Sequence, residues 1–307
     1  MSKFANLVAF IDGTGNNAFK QKADEQTNVA RLWHACREVE PSGDVAYQKV
    51  FYRPGVGTRR WELIRGSAAG RHLIDRVKEA KSFLDNEIKI ARKDGYIPRV
   101  YLFGFSRGAY AVRWLAEQLQ HEIEVLGCWD TVKATMKGPD VAEAGKNVKH
   151  AFHAMAIDEY RALFDVTHFA NSPQAIEVWF PGCHSDVGGG YKEAELSYAP
   201  LNWMVRLSVR CGLLVDLSKI PEEPIYATMP VVHDETQKTG WWFISLNIFD
   251  HYSNREISNA ETVYSSVGQL RALGYAHEYL PQNCLAWNEC CRAFKVRQVG
   301  ASKVRQL

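Results

Sequence analysis

A serine flanked by glycines two positions away on either side occurs where an apolar run meets a helical pattern. Val100–Leu119 has the sequence VYLFGFSRGAYAVRWLAEQL, in which Gly104, Ser106 and Gly108 form a G-x-S-x-G motif. Between a strand and a helix, this spacing is typical of a nucleophile elbow, a sharp turn that presents the serine hydroxyl. A serine hydroxyl is a weak nucleophile near neutral pH, so it needs an imidazole base held by a carboxylate. The motif therefore predicts attack on a carbonyl carbon, if the fold brings such partners to Ser106.

Candidate partners follow the other predicted strands. In a parallel sheet the carboxyl ends of the strands open on one edge, and reactive groups collect there. We therefore expect the polar residues at these positions to lie close to Ser106, which follows the third predicted strand. They are Asp12, Gly13 and Thr14 after the first strand, Asp130 after the fourth, and His184 and Asp186 after the fifth.

The chain order Ser106, Asp130, His184 provides a nucleophile, an acid and a base. The sequence also leaves other roles open for these residues. Asp130 could cap the turn that follows it, and Asp186 could bond its own glycine turn. The more familiar hydrolase order would use Asp186 as the acid and a later histidine, His251, as the base.

A tetrahedral oxyanion needs preorganised N–H donors. The backbone amide of Arg107, directly after the nucleophile, is one expected donor. Gly13 and Thr14, in the loop after the first strand, are expected to supply another, because glycine lets the backbone approach closely. Asp12 is expected to organise that loop.

Short apolar runs alternate with helical periodicities along the chain. This alternation predicts an α/β fold with a mostly parallel sheet and helices on both faces. We expect one domain over 1–307, with a catalytic core at about 5–215 and a lid or C-terminal extension over 216–307. Predicted strands cover 6–12, 45–53, 99–105, 122–130 and 175–182; predicted helices include one capped by Thr27 and those at 71–93, 108–120, 146–164 and 197–214.

Composition narrows the function classes. The 307 residues have a formal net charge of +2 and seven cysteines without CxxC spacing, which favours free thiols in a reducing compartment. The sequence has no apolar run long enough to span a bilayer and no signal-peptide pattern, so we expect a cytoplasmic protein. GVGTRR at 55–60 lacks the GK[ST] of a phosphate-binding loop. No metal, cofactor or nucleic acid is expected.

Six ordered motifs resemble those of an α/β-hydrolase domain family that includes the first family of type VI secretion lipase effectors. The motifs are LVAFIDGTGNN, TNVARL, GFSRGAYAVR, GCWDTV, AMAIDEYRALF and WFPGCHSDVGGGY, and the likeness covers about residues 5–210, with a looser match at 263–283. The resemblance implies esterase or phospholipase activity without an obligatory metal, with Ser106 as nucleophile, Asp130 as acid and His184 as base. It also implies a phospholipid substrate at a membrane surface, signal-independent export, and a secretion or immunity protein as partner.

Two departures from the family pattern bear on these expectations. The family usually has a histidine where this chain has Tyr264, which favours His184 as the base. The effectors usually carry long insertions and a membrane-docking module, whereas the interval from Ser106 to Asp130 leaves room for one helix and one strand, which leaves the lipid substrate open. The alternatives are a small-ester or thioester esterase with the same triad, and a catalytically idle hydrolase-like domain that binds a partner.

The last part of the sequence suggests a membrane contact. An apolar segment at 241–249, WWFISLNIF, could form a lid or insertion surface, and a basic tail could bind anionic lipid at about 1 kcal/mol per residue. The alternative for the tail is an ordinary solvated chain end. The basic residues are Arg292, Lys295, Arg297, Lys303 and Arg305.

Overall fold

A parallel sheet of eight strands forms the centre of the molecule in the computed structural model, which describes residues 3–40, 47–55, 66–133, 138–235, 255–258, 261–277, 280 and 285–286. The strands are β1 (Phe4–Ile11), β2 (Tyr47–Arg53), β3 (Ile97–Phe105), β4 (Ile123–Trp129), β5 (Val148–Ala156), β6 (Ala175–Phe180), β7 (Thr262–Val263) and β8 (Leu285–Ala286). Their order across the sheet is β2-β1-β3-β4-β5-β6-β7-β8, and every neighbouring pair is parallel.

Helices cover both faces of this sheet. One buried apolar cluster joins one face to α2 and α3, and a second joins the other face to α1 and α5. The predicted α/β fold with a parallel sheet between helical layers is therefore confirmed. The helices are α1 (Asn28–Ala35), α2 (Gly66–Lys93), α3 (Arg107–Gln118), α4 (His184–Gly188), α5 (Glu195–Arg210) and α6 (Ser266–Ala272).

One predicted element is wrong. The segment 146–164 was expected to be a helix, but it contains β5, Val148–Ala156, between β4 and β6. Val148, Phe152 and Met155 match a helical spacing, yet six successive residues at the end of this strand are buried. A strand buried on both faces loses the alternation that distinguishes it from a helix. As a consequence His184 follows the sixth strand rather than the fifth.

The region after residue 215 contributes to the same sheet. Val263 of β7 pairs with Trp179 of β6, and a third apolar cluster joins both to Val267 and Leu270 of α6. The apolar segment 241–249, His251 and the basic tail from Arg292 lie outside the described residues. No helix in the described ranges is long and apolar enough to cross a membrane.

Gly108 holds the elbow against the first strand. A Cβ atom on this residue would lie 2.2 Å from the carbonyl oxygen of Ile11 and 2.5 Å from that of Asp12. Both obstacles are backbone atoms, which cannot rotate away. Because β1 and β3 are adjacent, this contact sets the spacing between the elbow and the loop after β1.

We predict that Gly108→Ala lowers the free energy of unfolding by about 2–3 kcal/mol, the upper range for overpacking, although alanine is the better helix former. Gly268→Ala in α6 is the matched control, because an added Cβ there meets nothing within 4 Å and should be neutral or stabilising. Urea unfolding measures both. Equal stabilities would show that the elbow does not depend on this close approach.

Candidate active site

Ser106 occupies the sharp turn that the sequence predicts. β3 ends at Phe105 and α3 begins at Arg107, and the serine between them has φ 58° and ψ −126°. A positive φ in a residue with a side chain costs about 1–3 kcal/mol and persists only where its surroundings impose it. Here the Ser106 amide donates to the Trp129 carbonyl at 3.0 Å, and the Tyr110 amide donates to the Ser106 carbonyl at 3.2 Å. The strained turn is thus fixed by β4 on one side and α3 on the other.

Asp130 lies at the end of β4, in register with the elbow, and is fully buried. Its Oδ2 atom is 2.6 Å from Nδ1 of His184, and its Oδ1 atom accepts from the Ala156 amide at 2.9 Å. Its own amide donates to the Ala154 carbonyl at 2.7 Å. The carboxylate is therefore held by β5 as well as by the histidine. A residue that merely capped the following turn would need neither contact.

Arg255 is the partner of Asp130 that sequence reasoning missed. Its Nη1 donates to Oδ1 of Asp130 at 2.7 Å and its Nη2 to Oδ2 at 3.1 Å. Nη1 also donates to the carbonyl of Ala156 at 2.7 Å, and Nη2 to that of Phe164 at 2.5 Å. Burial opposes ionisation of Asp130, but the charge of Arg255 and the His184 bond together hold the pKa of that carboxyl well below its usual range.

His184 is the first residue of α4 and is oriented by Asp130. Since the carboxylate is ionised, Nδ1 carries the proton that is shared with it, which leaves Nε2 with a free lone pair. Burial lowers the pKa of His184, against the opposing effect of Asp130, so the ring is neutral near pH 7. The ring lies between Phe105 and Phe164, at centroid distances of 4.6 and 4.9 Å. Phe105 directly precedes Ser106, so the imidazole packs against the elbow.

The loop after β1 is organised by Asp12. Its carboxylate accepts hydrogen bonds from Tyr52 Oη at 2.7 Å, from Thr27 Oγ1 at 2.9 Å and from the Gly13 amide at 2.7 Å. Burial raises the pKa of Asp12 to about 6, although these bonds oppose the shift. The Gly13 amide is thus occupied by Asp12. The hydroxyl of Thr14 is sealed from solvent without a partner among the described residues.

Asp186 has a different set of contacts from those of Asp130. It accepts from the Cys183 amide at 3.0 Å, which closes the first turn of α4, and from the amide of His233 at 3.0 Å. Its Oδ1 atom is 2.7 Å from His233 Nδ1. The alternative pairing with His251 lies outside the described residues. Asp186 therefore joins α4 to the segment around His233.

A third carboxylate–histidine pair supports the loop that follows Asp130. The Thr131 amide donates to Nε2 of His153 at 3.0 Å, and Nδ1 of the same ring is 2.8 Å from Oε1 of Glu177. His153 is completely buried, and burial lowers its pKa. The neutral ring accepts at Nε2 because Glu177 holds the proton on Nδ1. Neither residue stands in a recognisable motif, so the sequence offered no sign of this support.

With this geometry in place, comparison with known proteins identifies the family. The model of the catalytic domain of Tle1-like phospholipase effectors of the type VI secretion system matches residues 5–121 and 117–207. The chain belongs to this family. The family predicted from the six motifs is confirmed, and membership places the chain among hydrolases. Within the described ranges, no group of three or more His, Cys, Asp or Glu side chains is arranged to hold a metal ion.

Individual relatives share only part of the chain at low sequence identity. The uncharacterized protein YEL023C of Saccharomyces cerevisiae is 31% identical over 124 residues, which are 38% of this chain and 17% of that protein. The Tle1 effector bound to the VgrG spike is 20% identical with a TM-score of 0.49, over 62% of this chain and 52% of that one. An uncharacterized protein from Pseudomonas aeruginosa is 22% identical with a TM-score of 0.47, over 72% and 48%. The chain thus spans about half of the solved relatives and less of the yeast protein.

We predict that Arg255→Met lowers the free energy of unfolding at pH 7 by about 3–5 kcal/mol, because it leaves the charge of Asp130 buried without its cation. The folded pKa of Asp130 is depressed in the native protein, so this pair stabilises the fold above the ordinary aspartate pKa and is lost as the pH falls through the folded value. The deficit of the variant should therefore shrink as the pH is lowered and Asp130 protonates.

Urea unfolding at several pH values measures this deficit. Arg37→Met is the matched control, because Arg37 is an exposed partner of Asp216 at 3.7 Å and such pairs contribute about 0–1 kcal/mol. A deficit for Arg255→Met as small as that of the control would mean that Asp130 does not depend on the guanidinium for its charge.

Proposed function

We propose that this chain is a serine esterase that cleaves the carboxylic esters of lipids, principally phospholipids, through an acyl-enzyme at Ser106. The observation that carries the proposal is the buried Asp130–His184 pair, with 2.6 Å between Oδ2 and Nδ1, packed against the strained elbow of Ser106. Membership of a phospholipase effector family supports the lipid substrate.

Acylation begins when the Ser106 hydroxyl attacks the ester carbonyl carbon. Nε2 of His184 takes the hydroxyl proton as the Oγ–C bond forms, and the carbonyl electron pair moves onto oxygen to give a tetrahedral oxyanion. Asp130 stabilises the imidazolium that results, and keeps the ring in the tautomer that can accept the proton. Collapse of the intermediate breaks the bond to the alcohol, which leaves with the proton from His184.

The oxyanion needs donors that are already in position. The amide of Arg107 is the first of α3, and a first-turn amide has no acceptor within its own helix. The helix N-terminus adds a partial positive charge at the same point. The Gly13 amide is engaged by Asp12, so we assign the second donor to the Thr14 amide, which the Asp12 contacts hold in the loop beside the elbow.

Deacylation repeats these steps with water. His184 removes a proton from the water as its oxygen attacks the acyl carbon, and the second oxyanion collapses to release the fatty acid and restore the Ser106 hydroxyl. A neutral imidazole is required at the start of both half-reactions, and burial of His184 keeps it neutral near pH 7.

The family also suggests where the substrate is met. The solved Tle1 effector is bound to a VgrG spike of the type VI secretion system, and we propose a comparable secretion partner and signal-independent export for this chain. An immunity protein in the producing cell, and phospholipid at the surface of a target membrane, complete the proposal. Residues 216–307 are proposed as a C-terminal extension packed on the core, and its described part adds β7 and β8 to the central sheet.

We predict that Ser106→Ala abolishes hydrolysis of short-chain phospholipids and labelling by a fluorophosphonate, with a residual rate orders of magnitude below that of the native protein. Ser218→Ala, at an exposed turn, is the matched control and should keep full activity. Activity of the Ser106 variant at the native level would remove the acyl-enzyme from the proposal.

A comparison of two aspartates tests the acid. We predict that Asp130→Asn lowers turnover by about 10³–10⁴, because the histidine is released into the wrong tautomer. Asp186→Asn should reduce turnover much less and lower thermal stability instead, since Asp186 joins α4 to His233. Steady-state kinetics and thermal unfolding of both variants provide the test. The reverse ranking in turnover would assign the acid to Asp186 and support the alternative order in which His251 is the base.

A further inference from the structure

Four arginines are buried in the described part of the chain, and the guanidinium groups of three of them donate to acceptors there. Arg255 binds the carboxylate of Asp130, as described above. Arg31 donates to Asn28 Oδ1, to Ser197 Oγ and to the carbonyl of Asp24. Arg113 donates to three carbonyls, at 2.6–2.8 Å, those of Val141, Thr167 and His168.

Arg107 is the exception. It is 9% exposed, yet its guanidinium has no hydrogen-bond acceptor and no acidic partner among the described residues, and burial lowers its pKa to about 10. It therefore stays charged at neutral pH. Arg113 lies on the same helix and shows that α3 can place a buried guanidinium on acceptors when the fold requires it. A buried charge without a partner is costly, so its presence calls for a partner that the chain itself does not provide.

The location of Arg107 limits what that partner can be. The residue directly follows Ser106, so their Cα atoms are separated by about 3.8 Å, the step across one trans peptide. The guanidinium nitrogens of Arg107 lack hydrogen bonds within the described chain but are not fully sealed from solvent. The guanidinium therefore opens onto accessible space. The N-terminus of α3, twelve residues long, adds positive potential at the same place. The positive charge and the helix N-terminus therefore favour an anion within reach of the Arg107 side chain, one residue from Ser106.

We propose that the guanidinium of Arg107 binds the phosphate of a phospholipid substrate while Ser106 attacks one of its acyl esters. The proposal rests on the esterase function argued above and specifies its substrate class. Only a few bonds separate the phosphate of a glycerophospholipid from its acyl esters. The planar guanidinium pairs with two phosphate oxygens at once, a geometry that a lysine cannot reproduce. The chain thereby selects a phospholipid over a neutral acylglycerol.

The first test compares dihexanoylphosphatidylglycerol with dihexanoylglycerol, which share acyl chains and differ in the phosphate headgroup. We expect Arg107→Met to lower the ratio of kcat/KM for the phospholipid to that for the neutral ester by roughly 10- to 100-fold, the value of a charge-assisted hydrogen bond, mainly through KM. Arg107→Lys should restore part of the ratio. A fall on both substrates by the same factor would overturn the proposal.

The melting temperature is a second readout. A structural role for Arg107 predicts that its replacement lowers this temperature, whereas a role in phosphate binding does not. Replacing an unpaired buried charge with an apolar side chain should leave the melting temperature of Arg107→Met equal to or above that of the native chain. Arg113→Met is the matched control and should lower it, because it leaves three carbonyls without donors. Destabilisation of Arg107→Met as large as that of Arg113→Met would assign the guanidinium a structural role and overturn the proposal.

Binding can be measured without turnover in the Ser106→Ala chain. Dihexanoylphosphatidylglycerol should raise its melting temperature more than dihexanoylglycerol does, and the difference should vanish when Arg107→Met is added. Equal binding of inorganic phosphate and of the phospholipid would show a free-phosphate site and overturn the substrate assignment. A native chain that hydrolyses neither ester would refute the esterase function, whereas headgroup-dependent binding that still requires Arg107 would leave the phosphate site standing.

Discussion

The buried carboxylate of Asp130 is the charge on which the site depends. It connects four parts of the fold: the end of β4, the Ala156 amide at the end of β5, His184 in α4 and Arg255 in the C-terminal region. Each contact lowers the free energy of an ion that would otherwise be expelled from the interior. The same contacts set the chemistry, because an ionised and immobile carboxylate fixes the tautomer of His184. Stability and function therefore share one set of atoms here.

The buried arginines differ in how far their donors are used within the described chain. Arg113 and Arg255 donate to carbonyl or carboxylate acceptors and hold loops and the site in place, although Nε of Arg255 has no partner among the described residues. Arg107 is buried next to the nucleophile with its donors unused among the described residues. A fold normally avoids such a group, and binding sites are where the cost is tolerated because a ligand offsets it. The contrast with Arg113 and Arg255 supports a ligand-binding role for Arg107 more strongly than its burial alone does.

Much of the fold could be read from local patterns. The strand before Ser106, the helix after it and the glycine on either side form one contiguous motif, so the elbow was predictable without any distant contact. The Thr27 cap was equally local, since its hydroxyl accepts from the Ala30 amide at 3.1 Å. Strand order along the chain placed Asp130 and His184 at one sheet edge. The strand within 146–164 was not predictable in this way, because burial on both faces of β5 removed the alternation that marks a strand.

The amino-acid sequence by itself determined the family, the nucleophile elbow and the short set of candidate acids and bases. Only the tertiary structure decided their partners. Asp130 pairs with His184 and Arg255 across 54 and 125 residues, and Asp186 pairs with His233 across 47. These bonds depend on which strands are neighbours and how loops fold over the sheet edge, and no periodicity or short motif encodes that. A carboxylate's role is set by the charges that surround it, which assemble only when the chain folds.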